Sequence, residues 1–139
     1  MSQDSPPPIP PGFKLMLPNE GFTANNGPYY LRRMAEGGYE YGFQSDDRHR
    51  NPNNVLHGGA VLGFLDTIMG QFAASVSKRS TATIGFDSRF LAAGRPGAWI
   101  DGRVIMRRLT RTLAFVDGEA SADGKLLVTA AGIFKVFES

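Results

Sequence analysis

The sequence predicts an α+β fold in which one long central helix is wrapped by a curved antiparallel sheet of five to six strands. Residues 58–77 repeat apolar side chains at helical spacing, and the runs before and after them alternate apolar with polar side chains. An Asp-Gly pair at positions 123 and 124 separates two such runs, as in a tight hairpin. The chain has 139 residues, of which 42% are hydrophobic and 20% charged, a composition typical of one globular domain.

The first 26 residues are expected to form a proline-rich arm, and residues 27–139 a single domain. Five of the nine prolines lie within the first eleven residues, where they favour an extended backbone. The apolar residues that follow could dock on the domain: Phe13, Leu15, Met16, Leu17 and Phe22.

The predicted sheet begins with a hairpin and ends with a meander. Residues 29–31 and 39–43 flank a Glu-Gly-Gly turn, and their aromatic residues suit a buried face. Four strands follow the helix. The first alternates Ile84, Phe86, Ser88 and Phe90 with the residues between them, the second begins near Ala98, and the last two span 113–121 and 125–137.

The predicted helix has two different faces. Its apolar stripe consists of Val61, Phe64, Leu65, Ile68, Phe72 and Val76. The other side carries small residues around a single carboxylate: Gly59, Gly63, Asp66, Gly70 and Ala73. A glycine in a helix costs about 1 kcal/mol relative to alanine. The glycines therefore indicate close approach by a helix, a sheet or a ligand.

Composition argues against several function classes. The net charge of +2 comes from scattered residues, so no nucleic-acid partner is expected, and Asp66 with several glycines interrupts the longest apolar run, so no membrane span is expected. Without cysteine there is no thiolate ligand or thiol nucleophile, and two histidines, His49 and His57, are too few for a zinc site without carboxylates. The N-terminal residues lack the pattern of a secretory signal, so a cytoplasmic location is expected.

Asp66 is the only charged residue between positions 58 and 77. One interpretation is a surface acid on the open side of an amphipathic helix. The other is a general base, because a lone carboxylate among small residues suits a narrow cleft. The sequence leaves both open.

His57-Gly58-Gly59 lies where the helix should begin. It is either an ordinary glycine-rich turn or an oxyanion site, since the first amides of a helix lack partners and glycine lets a carbonyl oxygen approach them. His57 by itself is expected to orient or pack. Asn51, in the polar loop before it, is a loop cap or a contact to substrate, and the residues alone favour the cap.

Spacing adds a deduction about assembly. Gly58 and Asp66 are eight residues apart, which is about 12 Å along a helix axis. Reacting groups must lie within about 3.5 Å of each other. If the chain is an enzyme, two antiparallel copies of the helix could supply one group each, so at least a dimer is expected.

The pattern Asn51, His57-Gly58-Gly59, Asp66-Thr67, followed by a strand from Ala82 to Leu91, resembles the hotdog-fold acyl-CoA thioesterases. The branch is that of the phenylacetate-pathway thioesterase and thioesterase superfamily member 2, and the resemblance covers about residues 27–137. It implies hydrolysis of an acyl-CoA thioester without metal or cofactor, coenzyme A being part of the substrate. It also implies a homodimer or homotetramer.

The resemblance implies a role for each matching residue. Asp66 would be the general base or nucleophile, the Gly58 amide would polarise the thioester carbonyl, Asn51 and His57 would orient substrate or water, and Thr83 would help position the water. The residues expected to contact substrate are Gly59, Gly63, Thr67, Phe90 and Arg89. Further candidates are Arg107, Arg108 and Arg111 for the phosphates and Tyr29, Phe64 and Ile68, with Phe90, for an aryl or medium-chain acyl pocket.

Two alternatives stand beside the hydrolase. A hotdog protein could bind acyl-CoA or another acyl ligand without cleaving it, but the aspartate and its helpers argue against this. A hotdog dehydratase would need a histidine paired with an acid in a different motif, which the sequence lacks.

Overall fold

The computed structural model describes residues 7–138, which form one antiparallel sheet and two helices. The helices are α1 (Phe22–Asn26) and α2 (Gly58–Ser77). The strands are β1 (Lys14–Leu15), β2 (Tyr30–Arg33), β3 (Tyr39–Gln44), β4 (Thr81–Phe90), β5 (Trp99–Leu109), β6 (Leu113–Ala122) and β7 (Lys125–Val136). They lie in the order β1-β2-β3-β5-β6-β7-β4. The predicted α+β class and central helix are confirmed.

The sheet has one strand more than the six expected, because part of the predicted arm joins it. β1 pairs with β2, and the Met16 N–H donates to the Tyr29 carbonyl at 2.9 Å. Of the residues expected to dock, Met16 is buried, whereas Leu17 and Phe22 are mostly exposed. Residues 1–6 of the predicted arm lie outside the described residues. An isolated two-residue strand has no alternation to read, which is why the sequence did not show it.

Helix α2 lies across the inner face of the sheet, where glycines on the strands make room for its side chains. A Cβ atom on Gly102 would lie 2.6 Å from Ile68, and one on Gly118 would lie 2.7 Å from Met69. The observed helix bounds match the predicted ones. The buried stripe differs at its end, because Met69 and Ala73 are buried while Val76 is 45% exposed.

Helix α2 is long and apolar enough to cross a membrane, by length and composition alone. The charge and glycines within it therefore do not exclude a membrane span, contrary to the expectation from the sequence. In the described structure the helix occupies the position of a core helix, with seven buried residues.

Strand β4 forms one edge of the sheet, opposite β1, and pairs with β7 alone among the described strands. Its register shifts between Thr83 and Gly85, so Ile84 is an extra residue and the predicted alternation is interrupted. Ile84 and Phe90 are both more than half exposed. This bulged edge runs beside α2 and brings Thr83 to the helix.

Candidate active site

The N-terminus of α2 leaves one backbone donor free. His57 caps the helix: its Nδ1 accepts from the Gly59 N–H at 2.8 Å, and its carbonyl accepts from the Ala60 N–H at 3.0 Å. Within residues 7–138 the Gly58 N–H has no acceptor. The structure therefore singles out Gly58 as the available donor. The Gly59 amide, expected to contact substrate, is already used by the cap.

Asn51 caps the loop that precedes this turn. Its side-chain oxygen accepts from the Asn53 N–H at 2.9 Å and from the Val55 N–H at 3.3 Å. Of the two interpretations of Asn51, the structure shows the cap. Its contact with substrate stays a prediction.

Asp66 lies half-buried in the middle of α2, where Thr83 holds it. The Thr83 hydroxyl donates to Asp66 Oδ1 at 2.7 Å. This bond joins two of the predicted catalytic residues, although 17 positions separate them in the chain. It fixes one carboxylate oxygen and leaves the second free of any partner among the described residues.

Asp66 and Thr83 line a groove of about 580 Å³ between α2 and β4. Thr67, a predicted substrate contact, also lines it, but its hydroxyl donates to the Gly63 carbonyl at 2.8 Å inside the helix. Gly63 itself is covered, because a Cβ there would lie 2.6 Å from the Phe22 ring of α1. Packing against α1 explains this glycine, and its contact with substrate stays a prediction.

A separate apolar cavity of about 330 Å³ lies beside Gly58. Its lining includes Val55, Leu56 and Val61. Phe90 also lines it, with its ring 3.0 Å from the position of a Gly58 Cβ. The other aromatic and aliphatic residues expected in an acyl pocket do not reach it. Tyr29, Phe64 and Ile68 are completely buried in the core between helix and sheet, and their contact with an acyl group stays a prediction.

Within a single chain, Gly58 and Asp66 line different spaces. No described residue lines both the groove at Asp66 and the cavity at Gly58. The offset follows from the rise of the helix between the two residues. One chain thus presents a donor at one place and an acid at another.

The candidate phosphate contacts divide into two groups. Arg107 pairs with Asp117 at 2.7 Å, and Arg111 pairs with Glu138. Arg89 and Arg108 pair with no carboxylate in the part of the chain that the structure describes. Their role with phosphate stays a prediction. No group of three or more metal-ligating side chains occurs among residues 7–138.

His49 is one of three buried polar or charged residues in the described part of the chain, with Glu40 and Ser45, and the sequence indicated no role for it beyond a possible metal ligand. Its side chain is 1% exposed and both ring nitrogens bond to backbone groups. The sequence signal was its place in the polar loop before the helix. Beside it, burial would raise the pKa of Asp46, but the hydrogen bonds and charge of Arg48 outweigh burial and hold that pKa below its usual value.

One long helix wrapped by an antiparallel sheet is the hotdog-type arrangement that the resemblance in the sequence implies. The sequence matches the family described as the thioesterase superfamily over residues 53–129, more than half of the chain. The chain belongs to this superfamily, and the resemblance found in its sequence is confirmed.

Known proteins of the same type agree with this assignment. A Pseudomonas aeruginosa protein with a provisional esterase name is 23% identical over 129 residues, covering 91% of this chain and 96% of that protein. A structure from Ralstonia eutropha, of a provisionally named thioesterase related to phenylacetic acid degradation, has a TM-score of 0.75 and 27% identity, covering 82% and 89% of the two chains. A Streptococcus pneumoniae hypothetical thioesterase with coenzyme A shares the fold, with a TM-score of 0.73 and 19% identity over 80% and 87%.

Proposed function

We propose that this protein hydrolyses the thioester bond of an acyl-coenzyme A, with Asp66 as base or nucleophile and the Gly58 N–H as oxyanion donor. Two groups of α2 carry the proposal: a free N–H at the start of the helix, and a carboxylate further along the helix that Thr83 orients. The coenzyme A bound to the Streptococcus pneumoniae protein supports the choice of thioester.

One complete site would be built from two chains. Because Gly58 and Asp66 of one chain face separate spaces, a second copy related by a two-fold axis is needed to bring its Asp66 to the first chain's Gly58. The exposed apolar edge of β4, with Ile84 and Phe90, suits contact with such a copy. The proposed assembly is a homodimer, or a homotetramer made of two such dimers.

In the proposed reaction the thioester carbonyl oxygen accepts from the Gly58 N–H of one protomer. Asp66 of the other protomer either takes a proton from water, which attacks the carbonyl carbon, or attacks that carbon itself to form an anhydride that water then cleaves. The negative oxygen of the tetrahedral intermediate is stabilised by the same N–H and by the positive end of the helix dipole. As this intermediate collapses the carbon–sulfur bond breaks; on the second route this gives the anhydride, which water cleaves afterwards. Coenzyme A leaves as a thiolate, which takes its proton from protonated Asp66 on the first route and from solvent on the second.

The cavity beside Gly58 is the proposed acyl site. Its apolar lining and its size of about 330 Å³ suit an aryl or medium-chain acyl group. Unpaired Arg89 is the proposed contact for a coenzyme phosphate. The absence of cysteine is compatible with a reducing cytoplasm, which is the proposed location.

The direct test measures thiol release from a panel of aryl- and straight-chain acyl-CoA thioesters. Asp66→Ala and Asp66→Asn should lower kcat by about 10²–10⁴-fold, the range for losing a catalytic acid or base. Both variants should keep the native molar mass and melting temperature. Unchanged turnover in both variants would remove Asp66 from the mechanism, and no turnover of any thioester by the native protein would refute the proposed function.

Mixed oligomers test whether the site is shared. Asp66→Asn and Gly58→Pro chains are each expected to be nearly inactive alone, because Pro removes the Gly58 N–H. After co-refolding, half of the dimers contain one chain of each kind, and each has one intact site made from Gly58 of the first and Asp66 of the second. Activity should therefore return to about a quarter of the native value. Mixtures that stay inactive would contradict a shared site.

A further inference from the structure

We propose that His49 is a positioning residue that sets the direction of the Gly58 N–H by holding the turn in front of α2. This inference rests on the proposed function, in which that N–H binds the thioester carbonyl. His49 does not touch the site cavities, and its action is through the backbone of His57.

Both nitrogens of the His49 ring are hydrogen-bonded to backbone groups. It lies in a short 3-10 turn, Asp47–His49, with a side chain 1% exposed. Nδ1 accepts from the Asp46 N–H at 2.9 Å, so the neutral ring carries its proton on Nε2, which donates to the Asn26 carbonyl at 2.6 Å. Neither nitrogen is free for substrate. A buried imidazole with two backbone bonds fixes the loop in one position.

The backbone of His49 carries this position to the helix. Its carbonyl accepts from the His57 N–H at 2.7 Å, and the His57 carbonyl in turn accepts from the Ala60 N–H at 3.0 Å. The peptide group that contains the Gly58 N–H includes the His57 carbonyl, and it directly follows the peptide group whose N–H bonds His49. The direction of that N–H is therefore set by the loop on one side and by the helix on the other.

Asn26 closes the connection between loop and helix. Its carbonyl accepts from His49, while its side-chain amide donates to the Ala60 carbonyl at 2.9 Å and to the Tyr29 hydroxyl. Arg48 adds a second tie from the loop, donating to the Gly27 carbonyl at 2.8 Å. The end of α1, the loop and the first turn of α2 therefore form one hydrogen-bonded unit.

An apolar ring in place of His49 would leave the Asp46 N–H and the Asn26 carbonyl, whose bonds to the ring are partly buried, without these partners. Partly buried polar groups without partners are unfavourable, so the loop would move to regain partners for them. Movement of the His49 carbonyl would turn the His57–Gly58 peptide. Since misplacement by about 1 Å can cost 10²-fold in rate, a small rotation of this donor should be visible in kcat.

The Gly58 amide can be observed directly. His57-Gly58 is the only His-Gly pair in the sequence, so a protein labelled with carbonyl-¹³C histidine and ¹⁵N glycine gives one amide correlation, that of Gly58. We expect His49→Phe to displace this peak. We also expect His49→Phe to lower kcat by at least about tenfold, a smaller loss than the 10²–10³-fold that follows removal of an oxyanion donor. KM should stay within about twofold of the native value.

Two further variants separate positioning from stability. His49→Gln keeps an N–H for the Asn26 carbonyl, and should recover part of both the peak position and kcat. Ser45→Ala is the matched control, because Ser45 is equally buried and bonds the Ala98 carbonyl at 2.6 Å and the Gly97 N–H at 3.1 Å, away from α2. It should lower the melting temperature and leave the Gly58 peak and kcat unchanged.

The proposal is overturned if His49→Phe melts earlier, as Ser45→Ala does, yet keeps the native Gly58 peak and kcat. If His49→Phe does not fold, His49→Gln decides, since a native peak in that variant overturns the proposal and a displaced peak supports it. If native protein cleaves no acyl-CoA, the proposed function fails, and the Gly58 peak alone still shows whether His49 positions that amide.

Discussion

The two ends of the proposed site are built in opposite ways, although both lie on α2. At the start of the helix, a local turn occupies the neighbouring amides with the chain's own groups and leaves the Gly58 N–H free. In the middle of the helix, Asp66 depends on Thr83, which comes from the far edge of the sheet. One half is specified by local sequence and the other by tertiary packing, so the two halves should respond differently to substitution.

The largest effect in this comparison is expected from removing the donor at the local half. Gly58→Pro removes the N–H at a helix position where proline is tolerated. The preceding residue, His57, has an extended backbone that suits a following proline. We expect kcat to fall about 10²–10³-fold. Gly58→Ala is the matched control, since it adds a similar contact with Phe90 and keeps the N–H. Equal losses in both variants would assign the effect to Phe90 rather than to the donor.

A smaller effect is expected at the tertiary half when the hydroxyl that holds Asp66 is removed. Thr83→Val keeps the shape and loses the bond to Asp66 Oδ1, so we expect kcat to fall about tenfold, in line with a hydrogen bond to a charged group. Thr83→Ser should retain most of the activity. Identical kcat values for the valine and serine variants would show that the bond does not orient the acid.

The acyl cavity should respond through specificity rather than rate. Phe90→Ala would enlarge the cavity beside Gly58, so KM should fall for bulky acyl groups. For small acyl groups KM should rise by about three- to tenfold, because they lose apolar contact. Phe90→Leu should lie between the alanine variant and native protein. A uniform change in KM across the thioester panel would place the acyl group elsewhere.

The smallest expected effect concerns the loop before α2. The bonds from Arg48 lower the pKa of Asp46 below the ordinary value of 3.8. Charged Asp46 therefore stabilises the folded state above about pH 3.8, and this contribution is lost as the pH falls through the lowered pKa. Asp46→Asn should therefore be less stable than native protein at pH 7, by less than about 1 kcal/mol, and closer to it at pH 3. Urea unfolding at both pH values measures this difference. An equal difference at both would show that the charge is not the cause.

The features predicted well from sequence are those with a local physical cause. The bounds of α2 follow from the His-Gly-Gly turn and helical periodicity, and the β6–β7 hairpin follows from Asp123 and Gly124, both of which adopt positive φ. The alternation of β4 was interrupted because an edge strand can accommodate the extra residue Ile84. Gly63 was expected to contact substrate from the family resemblance, and the sequence could not show that the Phe22 ring packs against it.

The sequence by itself determined the central helix, the lone acid on its small-residue face, the glycine turn at its start and the family pattern, because each depends on residues close together in the chain. Only the tertiary structure decided that Thr83 reaches Asp66 and that a buried His49 joins α1 to the turn in front of the helix. The bonds from Thr83 to Asp66 and from His49 to Asn26 join residues that lie 17 or more positions apart in the chain. Their outcome depends on which buried polar groups find partners when the whole sheet closes on the helix.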